Sequence, residues 1–396
     1  MESSKTTSDI AIVGGGIVGS ALAYFLSQTD KSVTLIDKSL SQTTGSTGYA
    51  PGFVGQFNES PVLTRLAMET VREYTRVPGG FDVVGGLEIA TSCEGVDRLR
   101  SRCELAKRAG LSAELISSGQ AVSLAPDLVN DDNQIALYFP GDGAANAVKI
   151  TSFYQEKAQA KGVELVEAEV TEIQQTNGRV NGVMTSSGFI SAKKVIIATG
   201  IWTTNLCKLD IPIPVVPVAH PYMYGEYHTP KLRKAPWVRW PQHHVYARDH
   251  GTFFGLGSYD HTPVLNEPRA TAMGDWIGQF DETLSKAMRF IPEETKFVPR
   301  ERFNGIFSMT PDNMPLVGSI PSIDGLYMAA AVWVTHAAGA AKFLAQLLEE
   351  QPVDDATKRA LDPSRFQGRD MTTLVQESLN GYNSIYKTEE RGAPKA

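Results

Sequence analysis

A glycine-rich turn near the N-terminus constrains the fold of this chain more than any other feature. The run Gly14-Gly15-Gly16-Ile17-Val18-Gly19 follows a short apolar strand candidate, Asp9 to Val13, and precedes a predicted helix, Ser20 to Gln28. A second strand candidate, Ser32 to Ile36, leads into Asp37, which lies 18 residues after the last glycine. This arrangement is typical of a βαβ unit that binds a dinucleotide.

Each glycine of this turn has a stereochemical role. Gly14 permits the tight turn, Gly16 lets the backbone approach a pyrophosphate, and Gly19 lets the helix pack closely on the sheet. The N–H groups and the dipole at the helix N-terminus favour phosphates. Asp37 can accept hydrogen bonds from ribose hydroxyls. The predicted contacts of this part are Gly14, Gly16, Ile17, Val18, Gly19, Asp37 and Lys38.

The next segment favours FAD over NAD as the dinucleotide. Residues 43–52 read Thr-Thr-Gly-Ser-Thr-Gly-Tyr-Ala-Pro-Gly and are rich in glycine and small hydroxyl side chains. Such a loop can follow a long ligand and hydrogen bond with its pyrophosphate and ribityl chain, whereas periodicity alone leaves both dinucleotides open. We predict FAD, contacted by Gly45, Ser46, Thr47, Tyr49 and Gly52.

The rest of the chain predicts a second type of sheet. Gly162 to Val170 and Lys193 to Ala198 are further apolar strand candidates. Val215 to Glu226 and Val245 to Leu256 alternate apolar and polar residues, as a half-buried antiparallel sheet would. Leu326 to Leu348 reads as a core strand followed by a helix. We predict an α/β fold in which a Rossmann-type FAD-binding domain is interleaved with an α+β, antiparallel-sheet substrate domain.

The predicted boundaries make both domains discontinuous. The FAD-binding domain takes residues 8–80, 143–215 and 300–350, and the substrate domain takes 81–142 and 216–299. Residues 351–396 form a polar C-terminal extension, whose ends we expect to be loosely ordered.

Charge and cysteine content exclude several classes of protein. The chain of 396 residues has 37 basic and 44 acidic side chains, a formal charge of −7, which argues against binding to nucleic acid or anionic membranes. Three cysteines without a CxxC pair argue against a disulfide scaffold or a cysteine zinc site.

His243-His244 lacks a third ligand at suitable spacing, so we predict no metal site and expect these two side chains at the surface. We predict a cytoplasmic protein because no targeting segment or membrane span is evident.

Several motifs together resemble the D-amino-acid-oxidase-type flavoproteins. Beside the glycine turn these are Ala198-Thr199-Gly200-Ile201-Trp202, Phe303-Asn304-Gly305-Ile306 and Ala331-Val332-Trp333-Val334-Thr335-His336. The resemblance is to the FAD part of the dimethylglycine oxidase and sarcosine dehydrogenase branch. It implies FAD contacts from Val170 at the adenine and from further residues along the ligand, namely Gly200, Trp202, Gly305, Ile306, Val334 and Thr335. The folate-binding half of those enzymes has no counterpart here, so we expect no one-carbon transfer to tetrahydrofolate within this chain.

Tyr49 departs from the family pattern. Dimethylglycine-type enzymes have a flavin-linked histidine at this place, and the cysteine used by monomeric sarcosine oxidases corresponds to Gly305. We therefore predict non-covalent FAD, with a tyrosyl–flavin bond as the alternative.

The resemblance also suggests the reacting residues. It matches His220 and Tyr246 to an active-site histidine and tyrosine, and histidine titrates near neutral pH, which suits removal of an ammonium proton. Weaker candidates for substrate binding are Arg248, which could hold a carboxylate, and an aromatic cage for an alkylated ammonium. The cage candidates are Tyr222, Tyr224 and Tyr259. We expect His336 to support its loop and not to react.

Three functions compete at this point. The first is FAD-dependent oxidation of a secondary or tertiary N-methyl amino acid, in which hydride transfer gives an imine and then formaldehyde. Oxygen, giving hydrogen peroxide, or an electron-transfer flavoprotein would be the acceptor. The second is oxidation of a bulkier or cyclic amine, and the third is flavin binding without amine turnover. Bleaching of bound flavin by an amine would separate the first two from the third.

Overall fold

The computed structural model describes residues 7–131, 134–206, 209–232 and 234–385. The strands within these residues are β1 (Thr7–Val13), β2 (Val33–Asp37), β3 (Phe53–Val54), β4 (Phe81–Asp82), β5 (Gly86–Ala90), β6 (Glu114–Ser117), β7 (Ile135–Phe139), β8 (Gly143–Ala145), β9 (Glu164–Glu167), β10 (Val170–Thr176), β11 (Arg179–Thr185), β12 (Gly188–Ile197), β13 (Val216–Tyr227), β14 (Trp237–Trp240), β15 (Val245–Asp249), β16 (Phe253–Ser258), β17 (Met273–Gly274), β18 (Pro299–Met309), β19 (Leu316–Ser319) and β20 (Leu326–Ala330).

The helices are distributed along the whole described chain. They are α1 (Ile17–Leu26), α2 (Ser46–Tyr49), α3 (Pro61–Tyr74), α4 (Cys93–Arg108), α5 (Ser118–Leu124), α6 (Ala147–Gln159), α7 (Thr203–Leu206), α8 (Gln279–Met288), α9 (Ala337–Leu348), α10 (Asp355–Leu361) and α11 (Met371–Gly381). Short 3-10 turns occur at Gly200–Trp202, Pro241–His243, Glu293–Thr295, Val334–His336, Pro363–Phe366 and Tyr382–Ser384.

An eight-stranded sheet contains the glycine-rich turn. Its main path runs β10-β11-β12-β1-β2-β9, and β20 adds beside β12 and pairs with β19. The pairs β12–β1, β1–β2, β2–β9 and β12–β20 are parallel. The carboxyl ends of β1, β2 and β12 therefore meet at one edge, where ligands bind in open α/β sheets.

Helix α1 is buried against this sheet because nearly all of its surface is apolar. Ala21, Leu22 and Leu26 have no exposed surface, and α6 and α9 pack beside the helix. A helix that is apolar on most sides is stable only inside the protein. This packing fixes the N-terminus of α1 at the sheet edge, directly after the turn.

A nine-stranded sheet forms the second large layer. Its order is β17-β18-β13-β16-β15-β14-β5-β7-β6, and every pair except β14–β5 is antiparallel. Near one edge of this sheet, β13 pairs with β18 so that His220 lies opposite Gly305. A small sheet, β3-β8-β4, is separate from both large sheets.

The expectation of a half-buried strand at 215–226 is wrong. All residues from Val216 to Met223 are buried, including His220 and Tyr222. The reason is that α8 and α11 pack against β13, so both of its faces are covered. Alternation in the sequence indicates a water-exposed face only when no other element covers that face.

Other sequence predictions differ from the structure in detail. Residues 245–256 form two strands, β15 and β16, because a turn with Gly251 at φ +101° separates them. The predicted strand 162–170 ends at Glu167, and Val170 begins the next strand. The predicted strand and helix at 326–348 are present as β20 and α9.

The described part of the C-terminal extension is ordered and packs onto the protein. Residues 351–385 contain α10, α11 and two 3-10 turns, and Leu361, Leu374 and Tyr382 are fully buried. Apolar side chains spaced along an otherwise polar segment dock it onto the protein. The expectation for the last residues, 386–396, lies outside the described residues.

The division into two domains stays a prediction, and the strand pairing adds one observation to it. Our boundary at residue 300 puts most of β18 in the FAD-binding part, yet β18 pairs with β13 and β17 in the nine-stranded sheet. Within the described part of the chain, no helix is both long enough and apolar enough to cross a membrane.

Candidate functional site

A cavity of about 550 Å³ lies between the two large sheets. Its walls include the glycine-rich turn and residues 42–53 on one side, and strands β13, β15 and β18 on the other. Of the predicted cofactor contacts, those that line the cavity are Gly14, Gly16, Ile17, Val18, Asp37, Lys38, Gly45, Ser46, Thr47, Tyr49, Gly52, Val170, Gly200, Trp202, Gly305, Ile306, Val334 and Thr335.

The glycines at the turn are required by close backbone contacts. Gly14 has φ +113°, and a Cβ there would lie 2.3 Å from the carbonyl oxygen of Ala198. Gly19 is not part of the cavity wall, and a Cβ on it would lie 1.9 Å from the carbonyl oxygen of Gly14. Gly19 therefore packs the helix against the turn, as expected, while Gly14 and Gly16 present backbone to the ligand space.

Polar side chains hold the turn in place. The Asp37 carboxylate accepts hydrogen bonds from Gly15 N at 2.6 Å and from Ser39 N at 2.8 Å. A carboxylate has about four acceptor positions, so Asp37 retains capacity for ribose hydroxyls. The Thr47 hydroxyl accepts from Ile17 N at 3.1 Å, which links the hydroxyl-rich segment to the start of α1.

The far wall brings the residues implied by the resemblance to the same cavity. Gly200 has φ +56°, and a Cβ built on it would have no atom within 4 Å. A Cβ built on Gly305 would have its nearest atom 3.7 Å away. Ser46 Oγ donates to Ile306 O at 3.0 Å, and Thr335 Oγ1 donates to Phe53 O at 3.0 Å. Open space beside backbone at these places fits a long planar ligand. Trp202 lies under the Lys38 ammonium, 4.3 Å from the ring centre.

Tyr49 contributes a half-buried aromatic ring to the wall. Its ring centre is 6.2 Å from that of Phe303. A tyrosine therefore stands where the family pattern has an imidazole, and it packs against β18.

His220 and Tyr246 meet inside the cavity wall. His220 Nε2 and the Tyr246 hydroxyl form a hydrogen bond, and the two rings stack with centres 5.7 Å apart. Burial, with a smaller contribution from His261, holds the pKa of His220 well below its usual range. The imidazole is therefore neutral near pH 7 and can accept a proton.

The three cage candidates differ in whether they reach the cavity. Tyr222 and Tyr259 line the cavity with Tyr246, whereas Tyr224 does not. The Tyr222 hydroxyl is hydrogen bonded with His250 Nε2 at 3.1 Å, and burial raises the pKa of Tyr222 well above its usual range. Of the three cage candidates, Tyr222 and Tyr259 are thus available to an alkylated ammonium.

Arg248 lies behind the wall and does not line the cavity. One guanidinium nitrogen donates to Pro51 O at 2.5 Å, and its buried Nε has no hydrogen-bond partner. Burial lowers the pKa of Arg248, while Asp82 and Asp249 raise it from a distance. Neither carboxylate contacts Arg248, because Asp82 pairs with Lys234 and Asp249 lies against His228. Within the described part of the chain, Arg248 is therefore a largely buried cation without a carboxylate in contact.

Three further histidines, His243, His244 and His336, take structural positions. His243 contacts Thr91 Oγ1 at 2.8 Å and the Phe290 ring, and His244 is buried against Tyr259, so the expectation that both lie at the surface is wrong for His244. His336 is buried before α9, and burial lowers its pKa to about 4. No group of metal-ligating side chains occurs among the described residues.

Sequence reasoning missed several residues of the site. Phe307 and Ile385 line the cavity, and His220 Nδ1 is hydrogen bonded with Tyr382 of the C-terminal extension. Tyr382 also contacts His261. The available signal was the helical spacing of Leu374, Ser378 and Tyr382, which indicates a docked helix in a polar segment.

Comparison with known proteins decides the family. The family described as FAD dependent oxidoreductase matches residues 9–347. The chain belongs to this family. The match includes the glycine turn, His220 and Tyr246, and it confirms the predictions of family, fold class and FAD as the cofactor. The residues around the cavity fit that cofactor, since the turn presents backbone where the pyrophosphate would lie.

Individual relatives are distant. The chain is 26% identical to mitochondrial sarcosine dehydrogenase of Homo sapiens over 82% of this chain and 37% of the relative. It is also 26% identical to mitochondrial dimethylglycine dehydrogenase of Rattus norvegicus over 98% of this chain and 49% of the relative. The chain thus spans at most about half of these relatives. The crystal structure of L-proline dehydrogenase from P. horikoshii has a TM-score of 0.81 at 23% identity, covering 91% of this chain and 98% of that one, and shows the shared fold.

Proposed function

We propose that the protein is an FAD-dependent amine oxidoreductase that oxidises the C–N bond of a secondary or tertiary N-methyl amino acid. The observation that carries the proposal is the buried His220–Tyr246 pair in the wall of the cavity that also contains the dinucleotide-binding turn. The similarity to sarcosine and dimethylglycine dehydrogenases supports the substrate class.

The side chains suggest how an amine would be prepared for oxidation. FAD, when bound, supplies a hydride acceptor. A substrate ammonium must first lose a proton, because its nitrogen lone pair then assists departure of the hydride from the neighbouring carbon. The Tyr246 hydroxyl and the neutral His220 can accept that proton and pass it on, a type of assistance that contributes about 10²–10⁴-fold.

Tyr222, Tyr259 and Arg248 suit the two ends of an amino acid. The rings of Tyr222 and Tyr259 can contact the N-methyl groups and the positive charge of the entering ammonium. Arg248 is a largely buried cation without a contacting carboxylate, and a substrate carboxylate in the adjoining cavity would supply the missing negative charge. Loss of hydride from a methyl carbon leaves an imine, which water hydrolyses to formaldehyde and the demethylated amine.

The test is anaerobic mixing of the FAD-loaded protein with N,N-dimethylglycine or sarcosine while the flavin absorbance is recorded. We expect bleaching and release of formaldehyde, and recovery of the colour with formation of hydrogen peroxide after air is admitted. Colour that recovers only with an electron-transfer flavoprotein would change the proposed acceptor. An absorbance that no N-methyl amino acid alters would contradict the proposed substrate class.

We also propose that FAD is held without a covalent bond, because Tyr49 and Gly305 replace both usual attachment residues. Acid precipitation should leave the yellow colour in the supernatant. Colour retained in the pellet of the wild-type protein and lost in a Tyr49→Phe variant would identify a tyrosyl–flavin bond instead.

A further inference from the structure

A buried hydrogen-bond chain continues from the Tyr246–His220 pair into the C-terminal extension. His220 Nδ1 lies 2.5 Å from the Tyr382 hydroxyl oxygen, which lies 3.0 Å from His261 Nε2. His261 Nδ1 lies 3.0 Å from the carbonyl oxygen of Thr262. Four ionisable side chains are thus linked in series, and all four are buried.

The far end of the chain fixes its direction. A carbonyl oxygen only accepts hydrogen bonds, so His261 Nδ1 carries the proton that is donated to Thr262 O. Burial holds the pKa of His261 below its usual range, which leaves the ring neutral and Nε2 without a proton. Tyr382 must therefore donate its single hydroxyl proton to His261 Nε2.

The same reasoning extends to the cavity wall. The Tyr382 proton is engaged with His261, so its oxygen accepts from Nδ1–H of His220. A neutral His220 that is protonated on Nδ1 has a bare Nε2, which accepts the Tyr246 hydroxyl proton. Every donor in the chain consequently points away from the cavity, whose wall includes Tyr246.

We propose that Tyr382 and His261 are positioning residues that hold His220 as a proton acceptor for Tyr246 and carry the substrate proton onward to His261. The proposal rests on the proposed amine oxidation. An N–H bond of the ammonium breaks as its proton joins the Tyr246 oxygen, whose own proton moves to His220 Nε2. The Nδ1 proton of His220 then moves to Tyr382, and the Tyr382 proton moves to His261 Nε2. The amine becomes neutral, His261 becomes an imidazolium, and no oxidant is needed.

Burial lowers the pKa of both histidines, but it lowers that of His220 further, so an imidazolium is less disfavoured at His261 than at His220. Asp260 is the neighbouring carboxylate and raises the pKa of His261, whereas an imidazolium at His261 disfavours charge on His220. The rings of Tyr222 and Tyr259 also stack on Tyr246, with centres 5.7 Å and 6.5 Å away. A proton would therefore be held at the end of the chain farther from the amine.

Hydrogen bonds hold the C-terminal extension in place on both sides of Tyr382, which the proposed proton path requires. Asn383 Nδ2 donates to Tyr259 O at 2.5 Å and to His261 O at 3.0 Å, and Asn313 Nδ2 donates to Gly381 O at 3.3 Å. Ile385 then reaches the cavity itself. These contacts hold Tyr382 in place between the two histidines.

The direction of the chain can be tested without turnover. In holoenzyme labelled with ¹⁵N-histidine, ring nitrogen shifts distinguish the two neutral tautomers, and single variants assign His220 and His261. We expect both rings to be protonated on Nδ1 and bare on Nε2. A His220 ring protonated on Nε2, or a cationic ring at neutral pH in either residue, would overturn the proposal even if the protein oxidises amines as proposed.

Proton transfer is tested by Tyr382→Phe and by His261→Gln, whose amide oxygen can accept from Tyr382 but cannot take up the proton. We expect anaerobic flavin reduction by sarcosine to slow about tenfold or more at pH 7 in both variants. The rate should approach the wild-type rate at a pH where the free amine is already neutral. Ser378→Ala, which removes a buried hydroxyl from α11, the helix directly before Tyr382, is the matched control.

The pH profile separates this role from a structural one. An equal loss of rate at every pH, with FAD content retained, would show that the substitutions only disturb packing. An unchanged profile in either variant would exclude that residue from the path and overturn the proposal. Absence of bleaching by any amine in the wild-type protein contradicts the proposed function instead, and the tautomers then still test the direction of the chain.

Discussion

The two walls of the cavity are built in different ways. The dinucleotide wall depends on backbone, since Gly14 and Gly19 allow the strand end, the turn and the helix to approach within distances that no side chain permits. The amine wall depends on side chains from separate segments, since His220, Tyr246 and Tyr382 come from β13, β15 and the C-terminal extension. The first wall is local in sequence, whereas the second exists only after the whole chain has folded.

This difference predicts different responses to substitution. A change in the dinucleotide wall should affect folding and FAD retention together. A change in the amine wall should leave FAD bound and alter only the reaction or the choice of substrate.

The largest expected effect follows Gly14→Ala. The residue has φ +113°, and the added Cβ would lie 2.3 Å from a carbonyl oxygen, so the turn must shift. We expect most of the FAD to be lost on gel filtration and the free energy of unfolding to fall by about 1–3 kcal/mol. Gly119→Ala, on a helix with nothing within 4 Å of the new Cβ, is the matched control and should be neutral or slightly stabilising. Full FAD retention in Gly14→Ala would contradict the backbone account.

A smaller and more selective effect is expected for Arg248→Met. The variant keeps much of the side-chain volume and removes the buried cation beside the cavity. We expect KM for an N-methyl amino acid to rise about tenfold or more, because the positive charge that attracts the substrate carboxylate is lost. The matching carboxamide should show a much smaller change. An equal rise for both compounds would mean that Arg248 supports the Pro51 segment only.

The smallest expected effect is on stability in mild acid. Burial lowers the pKa of His336 to about 4, so below about pH 6.5 protons bind the unfolded chain before they bind the folded one. Stability should therefore fall as the pH drops, by about 1 kcal/mol from this residue between pH 7 and pH 5.5. Urea unfolding at both pH values should show that the free energy of unfolding changes less between them in His336→Gln than in the wild type. An identical pH dependence of stability in the two proteins would show that His336 does not cause the loss of stability in mild acid.

Much of the dinucleotide wall could be predicted from the sequence, for the physical reason that it is local. The strand, the glycines, α1 and Asp37 follow one another within about 30 residues, and each has a recognisable backbone role. The resemblance to known flavoproteins added residues of the far wall, such as Gly305 and Thr335, which the structure brings to the same cavity.

The amine wall could be predicted only in part. His220 and Tyr246 came from the resemblance, whereas Tyr382 and His261 were missed because their partners are far away in sequence. Strand alternation puts Arg248 on the same sheet face as Tyr246 without giving its reach, and in the structure its guanidinium donates to Pro51 O behind the wall. Alternation gives the face of a sheet, and it does not give the direction of a long side chain.

The most direct test of the central claim uses Tyr246→Phe, with Tyr227→Phe as an exposed tyrosine control on strand β13. Acid-released FAD and the anaerobic rate of flavin reduction by sarcosine would be measured on the same samples. The account predicts equal FAD content in all three proteins and a rate at least about tenfold lower in Tyr246→Phe alone. Equal rates in the two variants, or loss of FAD from Tyr246→Phe, would contradict the assignment of dinucleotide binding and amine chemistry to separate walls.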